Sequence, residues 1–290
     1  MKKFGFLFLK SFLIIIIATK FSFATKTSLK ADYQFNNSFQ SSVGDVLDLI
    51  ALGATNFENA NVDGITTTVL TFKKGTGLSL VNCSQVILKH VYSIVVLFSF
   101  DDINGFKRII DYKYRKSHSG LYTYGRNLRF HNIQAGKGKQ VKAKKFMQVV
   151  ITRDAYKNVN CYIDKSKEIS FVDSKGLAVI SNDDVLSFFK DKGNNQTSGA
   201  VARIRLYNKP LTYSQIALLD RLPTNTEMSG CVSLIDATKN AKVMLLQSGE
   251  MHQTVLLDEK GCYNFNRFNS TKPFTIIIRG KNDGGHILSQ

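Results

Sequence analysis

The feature that most constrains this chain is a series of short apolar or alternating runs, each ended by turn residues: TTTVLTF (66–72), LSLV (78–81), VYSIVVLFSF (91–100), FMQVVIT (146–152), NCYI (160–163) and AVARIRLYN (200–208). Runs this short, spaced by turns, predict an all-β fold, an antiparallel sandwich. In AVARIRLYN, Ala202, Ile204 and Leu206 fall on one face and Arg203 and Arg205 on the other, as in a strand with one side in the core and one in water. The residue supply agrees: 21 Phe, 11 Tyr and only 3 Pro, with 43% of residues hydrophobic, suit strands around a packed core and exclude a disordered chain. One helix is predicted, at 212–222 (TYSQIALLDRL), where Thr212 and Gln215 stand at capping-box spacing and Ile216, Leu219 and Leu222 form an apolar stripe.

Residues 1–24 read as a secretory signal peptide: Lys2 and Lys3 open it, an apolar run from Phe12 to Ala18 follows, and Ser22-Phe23-Ala24 supplies the small residues a signal peptidase inspects. Lys10 and Lys20 interrupt the run, leaving far fewer than the roughly 20 continuous apolar residues a membrane span needs. The expectation is a protein secreted or held at the cell surface, with no membrane span after cleavage. Residues 223–229 (PTNTEMS) are polar and turn-rich and read as a linker. A second series follows: CVSLID (231–236), AKVMLLQ (241–247), TVLLD (254–258), CYNF (262–265) and PFTIIIR (273–279). About 50 residues bury little core, so a covalent staple there makes physical sense. An even cysteine count in an exported chain predicts disulfides, and of the three possible pairings Cys231 with Cys262 and Cys83 with Cys161 is preferred, four buried thiols being the alternative.

The order LKADYQFNNSF, GTGLSLVN, YSIVVLFSF, FMQVVITRDAYKNVNCYIDKSKEI and SGAVARIRLYNKPLTYSQIALL resembles the laminin G-like, concanavalin A-like jelly-roll domain of exported proteins, over residues 29–222. Its most specific part is the closing strand, 199–207, running through Asn208-Lys209-Pro210-Leu211-Thr212 into a helix. Asn36-Asn37 replaces the usual acidic-glycine turn, and Phe146 stands where a tryptophan is common. Over 230–280, SGCVSLIDATKNAKVMLLQ, TVLLDEKGCYNF and PFTIIIRG are similar to carboxypeptidase regulatory-like (transthyretin-like) β-sandwich modules. The first resemblance implies recognition of carbohydrate or another surface ligand, and the second a small accessory spacer.

Glycoside hydrolysis on such a fold needs two carboxyl groups flanking the scissile bond. The chain holds five Glu, only Glu58 and Glu168 of them before residue 222, and no E-x-D-x-x-E strand. His90, His118, His131, His252 and His286 lack metal-ligand spacing, and Gly136-Lys137-Gly138-Lys139-Gln140 lacks the spacing of a phosphate loop. Asp101-Asp102-Ile103-Asn104-Gly105 and Asn182-Asp183-Asp184 offer oxygen ligands for calcium but read as solvated turns. The expectation is therefore a binding protein, not an enzyme, with no catalytic residue, metal or cofactor. The alternatives are a glycan-active hydrolase or lyase and a structural adhesion or assembly module.

The formal net charge is +17, and the leader's four lysines, with no acid, leave +13 beyond it. Eleven of those net charges lie between Lys107 and Lys145, where twelve basic residues face the single acid Asp111. Lys107, Arg108, Lys113, Arg115, Lys116, Arg126, Arg129, Lys142, Lys144 and Lys145 are the candidate ligand-binding residues, with Lys137 and Lys139 in the same stretch. Such a concentration attracts polyanions, although a merely solvated face weighs equally against it. Tyr112, Tyr114, Tyr122, Tyr124 and Phe130 interleave with these charges and could stack on sugars; strand parity makes Tyr112 and Tyr114 core candidates instead. Export makes an anionic extracellular ligand a better fit than nucleic acid.

Overall fold

The computed structural model describes residues 28–44, 46–138, 140–193, 195–222, 226–231, 242–247, 250–259, 261–268, 274–279 and 286–288. The leader expected over 1–24, residues 223–225 of the expected linker and residues 232–236 of an expected strand lie outside them.

Fifteen strands precede the helix. They are β1 (Leu29–Tyr33), β2 (Ile50–Ala51), β3 (Thr55–Val62), β4 (Ile65–Phe72), β5 (Leu78–Val81), β6 (Tyr92–Phe100), β7 (Phe106–Asp111) and β8 (Gly120–Tyr124). Then come β9 (Asn127–Phe130), β10 (Gln134–Ala135), β11 (Met147–Arg153), β12 (Asn158–Ile163), β13 (Ser166–Val172), β14 (Val185–Phe188) and β15 (Gly199–Tyr207). They form two antiparallel sheets. One runs β13-β12-β11-β6-β15-β4-β3, with β1 also on β15; the other runs β10-β9-β8-β7-β14-β5-β2. The chain crosses repeatedly between the sheets, as from β4 to β5, β5 to β6, β6 to β7, β10 to β11, β13 to β14 and β14 to β15, which makes an antiparallel jelly-roll sandwich, as the sequence predicts.

The core lies between the sheets. Ile94, Val96, Phe98 and Phe100 of β6, with Val149 and Ile151 of β11, meet Ile109, Ile110, Leu121, Phe130, Leu186 and Phe188 of the facing sheet. All nine residues of β6 are buried because both of its faces are covered. On the outward side, Val95 packs with Val150, Tyr207, Leu211 and Ile216, while Leu97 packs with Val69, Ala202 and Leu222. A central strand covered twice reads as a continuous apolar run, which explains VYSIVVLFSF.

The covering segment departs from its sequence reading. The helix α1 (Tyr213–Ala217) has the expected capping box, with Gln215 N donating to the Thr212 hydroxyl and Thr212 N to the Gln215 side chain, but it stops well short of residue 222. Beyond it the carbonyls of Asp220 and Arg221 accept from Arg205 and Arg203 instead of serving helical hydrogen bonds.

Those two arginines correct a second expectation. A bulge between Val201 and Arg203 breaks the strand's alternation, so Val201, Ile204 and Leu206 enter the core while Ala202 packs outward. Arg203 and Arg205 are only 6% and 3% exposed rather than wet. Arg203 holds Asp32 by two hydrogen bonds of 2.7 Å and Asp220 by one of 2.8 Å; Arg205 reaches Asp220 at 2.8 Å and Gln148 at 3.1 Å. Burial alone would raise the Asp32 pKa, but the adjacent Arg203 guanidinium, with Arg205 and the Gln34 amide, brings it below the ordinary carboxylate value.

The C-terminal strands are β16 (Thr226–Cys231), β17 (Lys242–Gln247), β18 (Glu250–Leu256), β19 (Cys262–Phe268), β20 (Phe274–Arg279) and β21 (His286–Leu288). They pair as β16-β19 and β18-β17-β20-β21. Residues 226–229, expected to be linker, therefore belong to a strand. Cys231 and Cys262 are cross-strand partners in the β16-β19 ladder and are joined by a disulfide. Closing a loop with a sequence separation of 31 stabilises the segment by roughly 3–4 kcal/mol in the chain-entropy account.

The other expected disulfide is absent: Cys83 and Cys161 are buried free thiols. Cys83 sits in the turn after β5 with its sulfur 3.5 Å from Asp184, whereas Cys161 lies on β12 of the opposite sheet. Burial, then the Asp184 carboxylate, pushes the Cys83 thiol up to about 12, and burial also raises Cys161, so both stay protonated and unreactive.

Candidate functional site

The hairpin β7-β8 and its neighbour β9 build the candidate surface. Register sets Phe106 opposite Tyr124, Arg108 opposite Tyr122, and Tyr122 opposite Arg129, so these five side chains share the outward face of the seven-stranded sheet. A bulge between Arg108 and Ile110 lets both Ile109 and Ile110 face the core without disturbing that arrangement.

At the surface, Tyr124 is 45% exposed and tilts against Phe106 with ring centroids 4.4 Å apart. The Arg129 guanidinium lies 5.4 Å from the Tyr124 ring centre and 5.6 Å from that of Phe106. His131 packs against Phe106 at 5.2 Å, Tyr122 at 5.4 Å and His118 at 5.1 Å. Burial, followed by the charges of His118, Arg108 and Arg129, lowers the His131 pKa, so its ring is neutral at pH 7.

Below this rim Arg108 is fully buried. It donates to Asp191 at 3.1 Å and to the Ser117 carbonyl at 3.2 Å, pairs with Asp111 at 3.4 Å and lies over Tyr122 at 4.5 Å. Asp111 also accepts from the backbone of Lys113 and Arg115, fixing the loop that covers the arginine. Burial raises the Asp111 pKa despite the Arg108 charge. Five buried polar atoms of this face have no partner: Arg108 Nε, Tyr122 Oη, Arg129 Nε, Ser187 Oγ and Asp191 Oδ2.

The basic residues divide three ways. Arg108, expected as a surface ligand, is corrected to a buried structural cation, because alternation turns it under the loop 113–119. Lys107 and Lys113 are also committed: Lys107, on the opposite face of β7, pairs with Asp102 at 2.8 Å, and Lys113 caps the carbonyls of Gly176 and Val179 at 3.0 and 2.8 Å. Arg115 and Lys116 flank the exposed Tyr114, and Lys116 pairs with Asp183 at 2.5 Å. Of the remainder, Arg126, Lys142, Lys144 and Lys145 are exposed and Arg129 is half-buried.

Arg126 sits in the β8-β9 turn beside Tyr124, and its carbonyl accepts from Val141 N at 2.7 Å. The segment 136–146 is pinned further by Gly136 N to the Leu128 carbonyl, Gly138 N to Glu168 and Lys144 N to the Phe100 carbonyl, while Val141 is buried. Between these backbone pins Lys137, Lys142, Lys144 and Lys145 are exposed; Lys139 lies outside the described residues.

Tyr112, Tyr122 and Phe130 are buried, so of the interleaved aromatics only Tyr114 and Tyr124 can meet a ligand. Phe106, His118, His131 and Asp191 were missed by the sequence reading. Pairing Phe106 with Tyr124 across the hairpin is the one signal that could have found part of this set. Among the described residues no three His, Cys, Asp or Glu side chains gather as metal ligands, and Asp102 and Asp183 are engaged by Lys107 and Lys116. No helix among them is long and apolar enough to cross a membrane.

Residues 92–217 match the family model described as the concanavalin A-like lectin/glucanases superfamily. No curated protein matches the chain. Among solved structures, domain 4 of a GH43 extracellular arabinanase from Geobacillus stearothermophilus, in complex with arabinotriose, is similar at 13% identity with a TM-score of 0.53, over 66% of this chain and 97% of that one. A botulinum neurotoxin type C structure, concerned with interaction with two ganglioside molecules, aligns at 11% identity and a TM-score of 0.50, over 88% of this chain and 71% of that one. Trypanosoma rangeli sialidase in complex with sialic acid aligns at 19% identity with a TM-score of 0.47, over 65% of this chain and only 32% of the sialidase. The fold is thus a concanavalin A-like jelly roll. The arabinanase domain overturns the expectation that the chain is not an enzyme: this fold occurs as part of a glycan-acting enzyme, so scarcity of Glu excludes nothing.

Proposed function

We propose that the jelly roll recognises an acidic carbohydrate at the Tyr124 cluster and the basic segment 142–145. The observation that carries this reading is the exposed Tyr124 ring, held by Phe106 and Arg129, in a hairpin whose turn residue Arg126 is pinned through Val141 to the segment that exposes Lys142, Lys144 and Lys145. A ring offers its face to the C–H side of a sugar while the cations meet carboxylate or sulfate groups. Arabinotriose on the arabinanase domain, and the ganglioside interaction of the neurotoxin, support carbohydrate as the ligand class. The reading extends to an exported chain with a leader removed after residue 24, a jelly roll over 29–222 and an accessory β module over 230–280.

Retention on a glycan array at two salt concentrations tests this. Acidic glycans should be held, and held less as salt rises. Tyr124→Ala should weaken retention by about tenfold or more. The Lys142→Ala/Lys144→Ala/Lys145→Ala variant should lose most of the salt dependence. Undiminished retention by both variants removes this surface from the account.

A further inference from the structure

A separate cleft of about 430 Å³ is lined by His90, Arg153, Lys157, Asp173, Lys175 and their neighbours, none of which belongs to the surface just described. One wall is the β11-β12 turn. Asp154 clasps Asn158 through its backbone N and side-chain Nδ2, both at 2.8 Å, and Lys157 N donates to the Asp154 carbonyl at 3.1 Å. At the tip of this turn, between the lining residues Ala155 and Lys157, Tyr156 is 84% exposed.

The opposite wall is the turn following β13. Asp173 accepts from Leu177 N at 2.6 Å, Ala178 N at 3.1 Å and Arg153 Nε at 3.0 Å. Its carboxylate is therefore consumed. The neighbouring carbonyls are consumed as well: His90 O accepts from Arg153 Nη1, and Gly176 O and Val179 O accept from Lys113. What remains for a ligand is a set of donors. Lys157 and Lys175 are exposed and make no ion pair among the described residues, and the exposed His90 imidazole and Ser174 hydroxyl lie beside them. Arg153 and Asp173 neutralise each other, so the excess charge of the cleft is that of Lys157 and Lys175.

We propose that this cleft is a second binding site, specific for an oxyanion substituent on a pyranose, with Tyr156 as the stacking ring for the sugar. A neutral sugar would leave the excess charge uncompensated, whereas a carboxylate or sulfate ester matches a cleft rich in donors whose acceptors are already engaged. The sugar component rests on the carbohydrate reading above; the anion requirement rests on the cleft alone.

Titrating the full chain with glucuronate, glucose 6-sulfate, glucose and inorganic sulfate by calorimetry, with chemical-shift mapping, tests this. Both anionic sugars should bind saturably and glucose at least about tenfold more weakly. Whichever of glucuronate and glucose 6-sulfate binds more tightly identifies the preferred oxyanion. Lys157→Ala/Lys175→Ala, changes at exposed positions that leave the fold intact, should cost about tenfold or more for both anionic sugars in the affinity read from the shifts of residues 153–157 and 173–179. Tyr156→Ala should weaken the sugars and spare inorganic sulfate. Equal binding of glucose, or full affinity in the double-lysine variant, overturns the proposal. A Tyr156→Ala variant with unaltered sugar affinity overturns its sugar component. Absence of binding here, with long acidic glycans still retained through Tyr124, overturns the cleft and leaves the proposed function standing.

Discussion

On the outward face of the eight-stranded sheet, Arg203 gives both edges of its guanidinium to Asp32 and Asp220, and Arg205 adds Asp220 and Gln148. On the outward face of the seven-stranded sheet, Arg108 and Arg129 each keep a buried Nε without a partner, beside Tyr122, Ser187 and Asp191 atoms in the same condition, against one such atom, Arg205 Nε, in the first network. Each such orphan costs about 1–3 kcal/mol when no water or ligand reaches it. One face therefore spends its charge on holding β1 and the segment after α1 to the sheet. The other tolerates unpaired groups where rings and cations also reach the surface, a distribution expected of recognition rather than of stability.

The largest effect belongs to the first face. Asp32→Ala removes two of the hydrogen bonds of Arg203 beneath the β1 layer, leaving Asp220 as its one carboxylate, and should lower unfolding free energy by about 3 kcal/mol, read from urea denaturation. Glycan affinity measured well below the transition should stay within about twofold, because no residue of the ion network belongs to the Tyr124 cluster. A loss under about 1 kcal/mol would erase the distinction between the faces.

The second effect is smaller and has the opposite sense. Tyr122→Phe removes an orphaned hydroxyl, so stability should be unchanged or rise by up to about 1 kcal/mol. If the hydroxyl has a hydrogen-bond partner in solution, the same change lowers stability by about 1 kcal/mol, and Tyr122 drops out of the contrast between the faces.

The contrast between the faces was only half legible in the sequence. The strands themselves were, because 66–72, 78–81 and 91–100 carry apolar runs that no other element would bury so economically. Charge was less legible, because counting cations along the chain ignores which side of a strand each one takes and what covers it. Arg108 and Arg129 share one sheet face, yet the loop 113–119 covers Arg108 while Arg129 reaches the rim. The bulge at Ala202 shifted which residues of β15 face the core, and no composition signal marks a bulge. Local signals succeeded where partners were close, as in the Thr212 capping box and the Cys231–Cys262 pair. They failed where the partner lay far along the chain, as with Asp32 and Arg203 or Arg108 and Asp191.

The smallest effect separates the faces by pH. Burial and the positive charges around it hold the folded His131 pKa below the unfolded value of about 6.5. The unfolded chain then binds more protons in that window, so stability is complete above about pH 6.5 and declines as pH falls through the depressed folded value. Asp32 behaves as a lowered carboxyl: its contribution is present above about pH 4 and is lost as pH falls below that toward the folded value. A thermal-midpoint profile should therefore show a shallow decline just below neutrality and a steeper one in strong acid. His131→Gln should flatten the first and leave the second, while Asp32→Asn should remove the second and leave the first. If either substitution altered both declines, the two faces would be energetically coupled, and the division of labour between a nearly saturated sheet and a less saturated one would have to be abandoned.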